Sequence, residues 1–325
     1  MIEKIPIYLL TGFLGSGKTT LLKRWLQEPL LQHSALIVNE IGAVGLDHAT
    51  LGYASDASAL LADSCVCCTG LPGLHEALEN LFWARLHRGV ARFDSVVIET
   101  TGLADPAPLV TSLKTHRFVS ERFCLAGIVT TLGAPTALAI MTEFAEARSQ
   151  LDAAGVVVVT KTDLAADAQL DAVSQALRRS NPATHILLST QGSLSADEVW
   201  HAARSAIDSS QRSPKDRSWR VVKARVTAAG LVRRAIAPHN ADTRFETIVD
   251  EVSADSLRNS LAGMIARHRT RLLRMKGIVQ LADGTSVVVQ FTRGDEKVQI
   301  SPAPETMQTA LTGMPSGVTL ILRSR

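Results

Sequence analysis

The sequence predicts an α/β protein: a doubly wound, mostly parallel sheet over the first two-thirds of the chain, then a smaller α+β domain. Three observations carry this. Short apolar runs alternate with amphipathic stretches, a glycine-rich turn joins the first run to the first helix, and the pattern changes beyond residue 208. At roughly 100–200 residues per domain, 325 residues suggest two domains. A 46% hydrophobic and 20% charged composition fits a folded chain and not a disordered one.

The apolar runs Ile5–Leu10, Ala35–Val38, Ser95–Glu99, Cys124–Thr130, Val156–Thr160 and Thr184–Leu188 have the length and continuity of strands buried on both faces. Thr19–Gln27, Gly73–Arg88 and Gln169–Ser180 lie between them with helical periodicity. Asp208–Ser218 is polar, contains Pro214 and has no apolar period, which predicts a linker. The expected division is therefore 1–207, a linker at 208–220, and a second domain at 221–325. In that domain Phe245–Val252 reads as a strand and Ala254–Arg267 as an amphipathic helix. Leu272–Gln280 and Ser286–Phe291 read as a hairpin around Asp283-Gly284. A strand (Lys297–Ile300), a short helix (Glu305–Thr312) and a last strand (Val318–Leu322) complete the expectation.

Composition excludes several functions. Aromatics are only 4%, so Leu, Val, Ala and Ile must form most of the core. A net charge of +3 does not supply the concentrated basic face that nucleic acids or anionic membranes attract. Arg267–Lys276 is basic, but Arg267, Arg269, Arg271 and Arg274 read more simply as a solvated face or a docking surface. Ile5–Gly15 has the apolarity of a secretion signal, yet Glu3 spoils a basic leader, and Lys18 and Arg24 precede any cleavage site. No apolar run reaches the roughly eighteen residues a bilayer span needs. A cytoplasmic protein without membrane or nucleic-acid partners is expected. The cysteines agree: of four, Cys65, Cys67 and Cys68 are clustered and Cys124 stands apart, which suits metal or redox chemistry better than disulfide stapling.

Gly12-Phe-Leu-Gly-Ser-Gly17-Lys18-Thr19 satisfies the G-x-x-x-x-G-K-[ST] pattern of a P-loop, and it follows an apolar strand and opens a helix as that pattern requires. The first domain is thereby expected to be a P-loop NTPase sheet. Gly12, Gly15, Ser16, Gly17 and Thr20 belong to a backbone cradle for phosphate oxygens, with the helix N-terminus aimed at the same charge. Lys18 is placed at the β/γ-phosphates and the Thr19 hydroxyl on Mg²⁺. Val96-Val-Ile-Glu99-Thr-Thr-Gly102 supplies a strand-end carboxylate for Mg²⁺ or its waters and a glycine amide for the γ-phosphate. In Thr160-Lys161-Thr162-Asp163, the Asp163 carboxylate can accept guanine N1–H and N2–H₂ together while Lys161 covers the ring, which favours GTP over ATP. Thr160 stands where GTPases usually carry Asn, a change expected to weaken a supporting contact. Cys65-Val66-Cys67-Cys68 offers soft thiolates for Zn²⁺ or another late transition metal, with Glu40, Asp63 or His75 as further donors. A redox C-x-x-C pair and buried structural cysteines stay open beside the metal reading.

The segments GFLGSGKTT, VNEIGAVGLD (38–47), CVCC, VVIETTGLADPAP (96–108), TKTD and Arg274-Met-Lys276-Gly277 together resemble the CobW-like metallochaperone GTPases, over nearly the whole chain. The resemblance implies a GTPase that binds a transition metal, Zn²⁺ or Co²⁺, and delivers it to a client metalloprotein or cofactor-synthesis protein. By position it implies phosphate and Mg²⁺ binding by Gly12 to Thr20, a switch at Asn39–Asp47 with Glu40 close to the metal, and Glu99 and Gly102 as the second nucleotide motif. It implies guanine reading by Lys161 and Asp163 and metal binding by Cys65, Cys67 and Cys68. Two departures stand out: Ala43 replaces a glutamate common in the switch, and Gly133 an aspartate common at the end of its strand. No arginine finger or catalytic glutamine follows Gly102, so slow intrinsic turnover is expected. A GTP-dependent regulatory switch with structural thiols, a P-loop ATPase or small-molecule kinase, and a homodimer all remain compatible with the sequence.

Overall fold

The computed structural model describes residues 4–38, 71–87, 92–212, 241–248, 253–295, 297–303 and 316–323. Glu40, Asp63, Cys65, Cys67 and Cys68, with the whole of the proposed switch at Asn39–Asp47 and the expected helix at Glu305–Thr312, lie outside these residues.

The first unit is a six-stranded sheet built from β1 (Ile5–Gly12), β2 (Ser34–Val38), β3 (Ser95–Glu99), β4 (Phe123–Gly133), β5 (Val156–Thr160) and β6 (His185–Leu188). Its order is β2-β3-β1-β4-β5-β6 and every pairing is parallel. The helices are α1 (Lys18–Trp25), α2 (Leu71–Leu86), α3 (Pro106–Thr115), α4 (Arg117–Arg122), α5 (Ala137–Glu143), α6 (Ala145–Ala153), α7 (Asp167–Ser180) and α8 (Ala196–Arg212). Apolar clusters on both faces explain why the strands read as continuous apolar runs: Val156–Val159 are all buried because neither face meets water. The expected scarcity of aromatics in the core is offset locally by ring clusters. Trp200 of α8 packs against Tyr8 of β1 at 4.7 Å with the rings tilted by 48° and meets Trp25 of α1 edge-on at 5.6 Å, all fully buried.

The expected linker begins too early. The α8 helix continues to Arg212, because Val199, Trp200, Ala203 and Ala206 form a stripe that anchors it on the sheet and the polar residues after it continue the same turns. The rest of the expected linker lies outside the described residues.

The second unit is a five-stranded antiparallel sheet, β10-β9-β8-β11-β7, with α9 (Ala254–His268) packed on one face. Its strands are β7 (Ala241–Thr247), β8 (Leu272–Gln280), β9 (Ser286–Thr292), β10 (Gln299–Pro302) and β11 (Gly317–Arg323). The β8–β9 hairpin sits as expected around Asp283-Gly284, where Gly284 takes a φ of 82°. Two strands are displaced from expectation. β7 ends at Thr247, not Val252, because its ladder is set by β11, which pairs Gly317 with Thr247 and Arg323 with Ala241. β10 starts at Gln299, not Lys297, because the chain from Thr292 to Asp295 is tied in a turn: Asp295 accepts from the Thr292 amide at 2.7 Å and donates its own amide to the Thr292 carbonyl at 2.9 Å.

The two sheets meet through an apolar cluster. Phe13 and Leu14 of the P-loop, Leu103, Ile140, Phe144 and Ala147 pack with Leu273 and Ile321 of the second sheet. Arg293 pairs with Glu143 at 3.2 Å, and the guanidinium groups of Arg293 and Arg323 lie over the Phe144 ring at 5.8 and 5.5 Å. The second sheet is thus seated beside the P-loop.

Candidate nucleotide-binding site

The site forms where strand order reverses. β1 lies between β3 and β4, so the chain leaving β1 turns over the carboxyl edge of the sheet, where α/β folds hold ligands. Residues 13–17 make this turn, and α1 starts at Lys18 with Gly17 as its N-cap at φ 89°. Gly12 has a φ of 140°, and a Cβ there would lie 2.4 Å from both the carbonyl and the hydroxyl oxygen of Thr131. Glycine is required at this position both for its conformation and for its clearance.

Lys18 is buried and its ammonium donates to the Gly12 carbonyl at 2.7 Å and the Phe13 carbonyl at 3.2 Å, curled over the loop it would share with phosphate. The Thr19 hydroxyl donates to Glu99 at 2.8 Å. Two residues eighty positions apart in sequence are thus joined, and both carry hard oxygen donors of the kind Mg²⁺ takes. Gly102 passes so close to the P-loop that a Cβ would sit 2.7 Å from the Leu14 amide nitrogen. Gly15, Gly17, Lys18, Thr19, Thr20, Glu99, Gly102 and Lys161 all line one cavity of about 260 Å³.

Several supporting residues carried no signal in the sequence. Thr131 of β4 shares a hydrogen bond with Ser16 at 2.6 Å. Gln150 of α6 is buried, donates to the carbonyls of Gly102 and Ala104 at 3.1 and 2.9 Å, and fixes the turn after β3. Asp105 caps α3 by accepting from the Ala107 amide at 3.0 Å, which gives the Ala104-Asp105-Pro106 segment a structural role beside the nucleotide motif. Lys23 also lines the cavity. Burial pushes its ammonium below the ordinary lysine value, and the Glu99 carboxylate pulls it partly back.

Thr160 contacts the P-loop directly. Its hydroxyl donates to the Ser16 carbonyl at 2.7 Å, so the strand carrying Lys161 and Asp163 remains tied to the P-loop. Thr160→Val should leave that buried carbonyl without its donor, costing about 1–3 kcal/mol and weakening GTP binding about tenfold. Thr160→Ser should bind as the wild type does, and calorimetric titration of both variants checks this. Lys161 adopts a left-handed φ of 57° and Asp163 follows in a short 3-10 turn, exposed at the sheet edge. Thr162 shares a hydrogen bond with Thr190 at 2.7 Å, which brings the loop after β6 alongside Asp163.

His75 is the one proposed thiol-site donor among the described residues. It bonds through Nε2 to the Ser112 hydroxyl, and its ring stacks on His116 at 3.9 Å. Burial, then the neighbouring His116, pushes its pKa below the ordinary imidazole value. Among the described residues, no group of three or more His, Cys, Asp or Glu side chains is arranged to hold a metal ion, and no helix is long and apolar enough to cross a membrane.

Known proteins resemble this chain in sequence and in fold. The chain is 35% identical over 193 residues to the zinc chaperone YjiA of Escherichia coli, a match covering 59% of this chain and 60% of that protein. It is 31% identical over 200 residues to the zinc-regulated GTPase metalloprotein activator 1 of Schizosaccharomyces pombe, covering 59% of this chain and 47% of that one. The zinc chaperone CobW of Pseudomonas aeruginosa is 37% identical over 121 residues, 34% of this chain and 30% of the relative. The chain thus spans less than two thirds of the length of each of these relatives. Among solved structures, the Zn(II)-bound YjiA GTPase from E. coli has a TM-score of 0.50 at 22% identity, covering 99% of this chain and 95% of that one, a likeness of fold. The profile of the CobW/HypB/UreG nucleotide-binding domain matches residues 6–188, more than half of the sequence, and the chain belongs to that family.

Proposed function

We propose that this protein hydrolyses GTP and uses the cycle to bind and release a transition metal, zinc in the first place. The observation that carries the nucleotide half is the junction of Thr19 with Glu99 beside buried Lys18, at the mouth of a glycine-rich turn. Lys161 and Asp163 are the guanine-reading pair. Bound Mg²⁺, held by Thr19 and through Glu99, supplies charge neutralisation at the phosphate oxygens. The chain's own residues do the rest: the Gly15–Thr20 amides orient the phosphates, Lys18 exchanges its carbonyl partners for phosphate oxygens, and Gly102 offers its amide to the terminal phosphate.

The metal half rests on the thiolates of Cys65, Cys67 and Cys68 with Glu40, and on the names of the relatives. GTP ordering the segment 39–47 closes the thiolate site around its cargo, and hydrolysis opens it for transfer to a client metalloprotein or cofactor-synthesis protein. By linkage, whatever factor GTP adds to metal affinity, metal adds to GTP affinity.

The test is competition for Zn²⁺ and Co²⁺ with a chromophoric chelator, in the presence of a non-hydrolysable GTP analogue, GDP, or neither. One-to-one binding that tightens about 5–150-fold with the analogue is expected. It should be lost in Cys67→Ser. Weak binding indifferent to nucleotide overturns the carrier reading and leaves a GTP-dependent switch whose thiols are structural.

A further inference from the structure

The sequence shows no group after Gly102 to neutralise the charge that grows on a departing phosphate. The tertiary structure brings one from elsewhere. The 260 Å³ cavity at the P-loop is walled on its far side by the second sheet, which contributes Arg274, Gln290, Thr292 and Gln299.

Arg274 is held there by the sheet's geometry. It lies on β8, the middle of five strands, so it has ladder neighbours on both sides. Across one ladder it pairs with Thr292 of β9 and across the other with Ile321 of β11. Directly opposed residues share a face of an antiparallel sheet. Both partners on this face touch the P-loop unit. A Cβ on Gly15 would sit 2.3 Å from the Thr292 methyl, and Ile321 packs in the cluster with Phe13 and Leu14. Arg274 is therefore centred between two docking contacts, facing the phosphate turn, while Met275 beside it points into the core with α9. The cavity collects Lys18, Lys23, Lys161 and Arg274 against Glu99 and Asp295, a balance suited to a polyphosphate.

We propose that Arg274 is a catalytic arginine supplied in cis by the second domain to the terminal phosphate of GTP. This rests on the GTPase reading above and adds a residue to it. In the reaction, a water oxygen bonds to the γ-phosphorus, and the bond to the bridging oxygen breaks with its electron pair left on GDP. The water's proton passes to the released phosphate. Arg274 keeps its own protons throughout and donates hydrogen bonds to the oxygens where negative charge accumulates, the role its planar fork suits and a lysine fills less well. Turnover then depends on the second sheet staying seated on the P-loop, so the two domains act as one hydrolytic unit.

The test uses the full chain. Single-turnover GTP hydrolysis, fluorescent GDP binding, and capture of GDP with aluminium fluoride are compared for wild type, Arg274→Ala, Arg274→Gln and Arg274→Lys. The expected result is GDP affinity within about threefold of wild type in all variants, with hydrolysis reduced about 10³-fold in Ala and Gln. Capture of the aluminium fluoride complex should fail in both, and Lys should recover only a small part of either. The Gln variant keeps the volume of the side chain and covers the case in which Ala unseats the sheet. Wild-type hydrolysis retained by Ala and Gln, or a loss of hydrolysis matched by an equal loss of GDP binding, overturns the proposal alone. Wild type that binds GTP without hydrolysing it overturns the GTPase reading and the proposal with it.

Discussion

Asp163→Asn is expected to lower GTP affinity about 10³-fold and raise affinity for xanthosine triphosphate. On the proposed reading the carboxylate would accept two hydrogen bonds from the guanine edge, each worth about 1.5–3 kcal/mol because one partner is charged. Asparagine cannot accept both. Xanthine replaces the exocyclic amine with an oxygen, so the asparagine amide donates to that oxygen while its carbonyl still accepts from N1–H. Asp163 is exposed and stands in a turn closed by the Leu164 amide on the Lys161 carbonyl at 3.1 Å, so the change should leave stability within about 0.5 kcal/mol of wild type. Competition of the guanine, xanthine and adenine triphosphates for the same protein reads the outcome. Unchanged GTP affinity would remove guanine reading from Asp163, and a wild-type preference for ATP would favour the ATPase or kinase class.

The second large effect is expected at Gly12. Gly12→Ala places a methyl group 2.4 Å from two oxygens of Thr131, on a backbone with φ of 140°. The neighbour cannot retreat, because Thr131 is the register partner of Gly12 in the central β1–β4 pair. Strain and overpacking each cost about 1–3 kcal/mol, so a loss of about 3 kcal/mol is a fair expectation. For a domain of this size that is on the order of 10 °C in melting temperature. The Gly12 carbonyl is also a partner of the Lys18 ammonium, so GTP binding should fall at least about tenfold as the loop shifts. Gly133→Ala is the matched control. Its φ is −74° and the nearest atoms to an added Cβ are 3.9 Å away, so it should melt within about 0.5 kcal/mol of wild type. Parallel thermal melts of the two variants decide whether the loss belongs to the site or to glycine replacement in general.

The contrast between Thr160 and Thr131 shows how far local sequence reaches. Thr160 is adjacent to Lys161, so its place beside the nucleotide motif was legible, but the Ser16 carbonyl it serves lies 144 residues away and no spacing reveals it. Thr131 and Gln150 sit in ordinary strand and helix patterns. They become site residues because β4 neighbours β1 and because α6 packs under the turn after β3. The displaced strands tell the same story from the other side. Ile248, Val249 and Val252 draw the expected strand toward its C-terminal side, yet pairing with β11 selects 241–247 and leaves Ile248 packed against the domain core.

By itself the sequence determined what depends on neighbours along the chain: the parallel α/β class, the P-loop with Lys18 and Thr19, Glu99 at its strand end, and the Lys161–Asp163 turn. Each is a residue type at a fixed offset from a strand or helix end, and such offsets survive in the linear text. Only the tertiary structure decided that Thr19 meets Glu99, that Thr160 holds the P-loop, and that Arg274 of the second sheet faces the phosphate cavity. Those contacts follow from strand order and from the docking of two sheets across Phe144, Leu273 and Ile321. Strand order and docking are set by the burial of surfaces that no single segment carries.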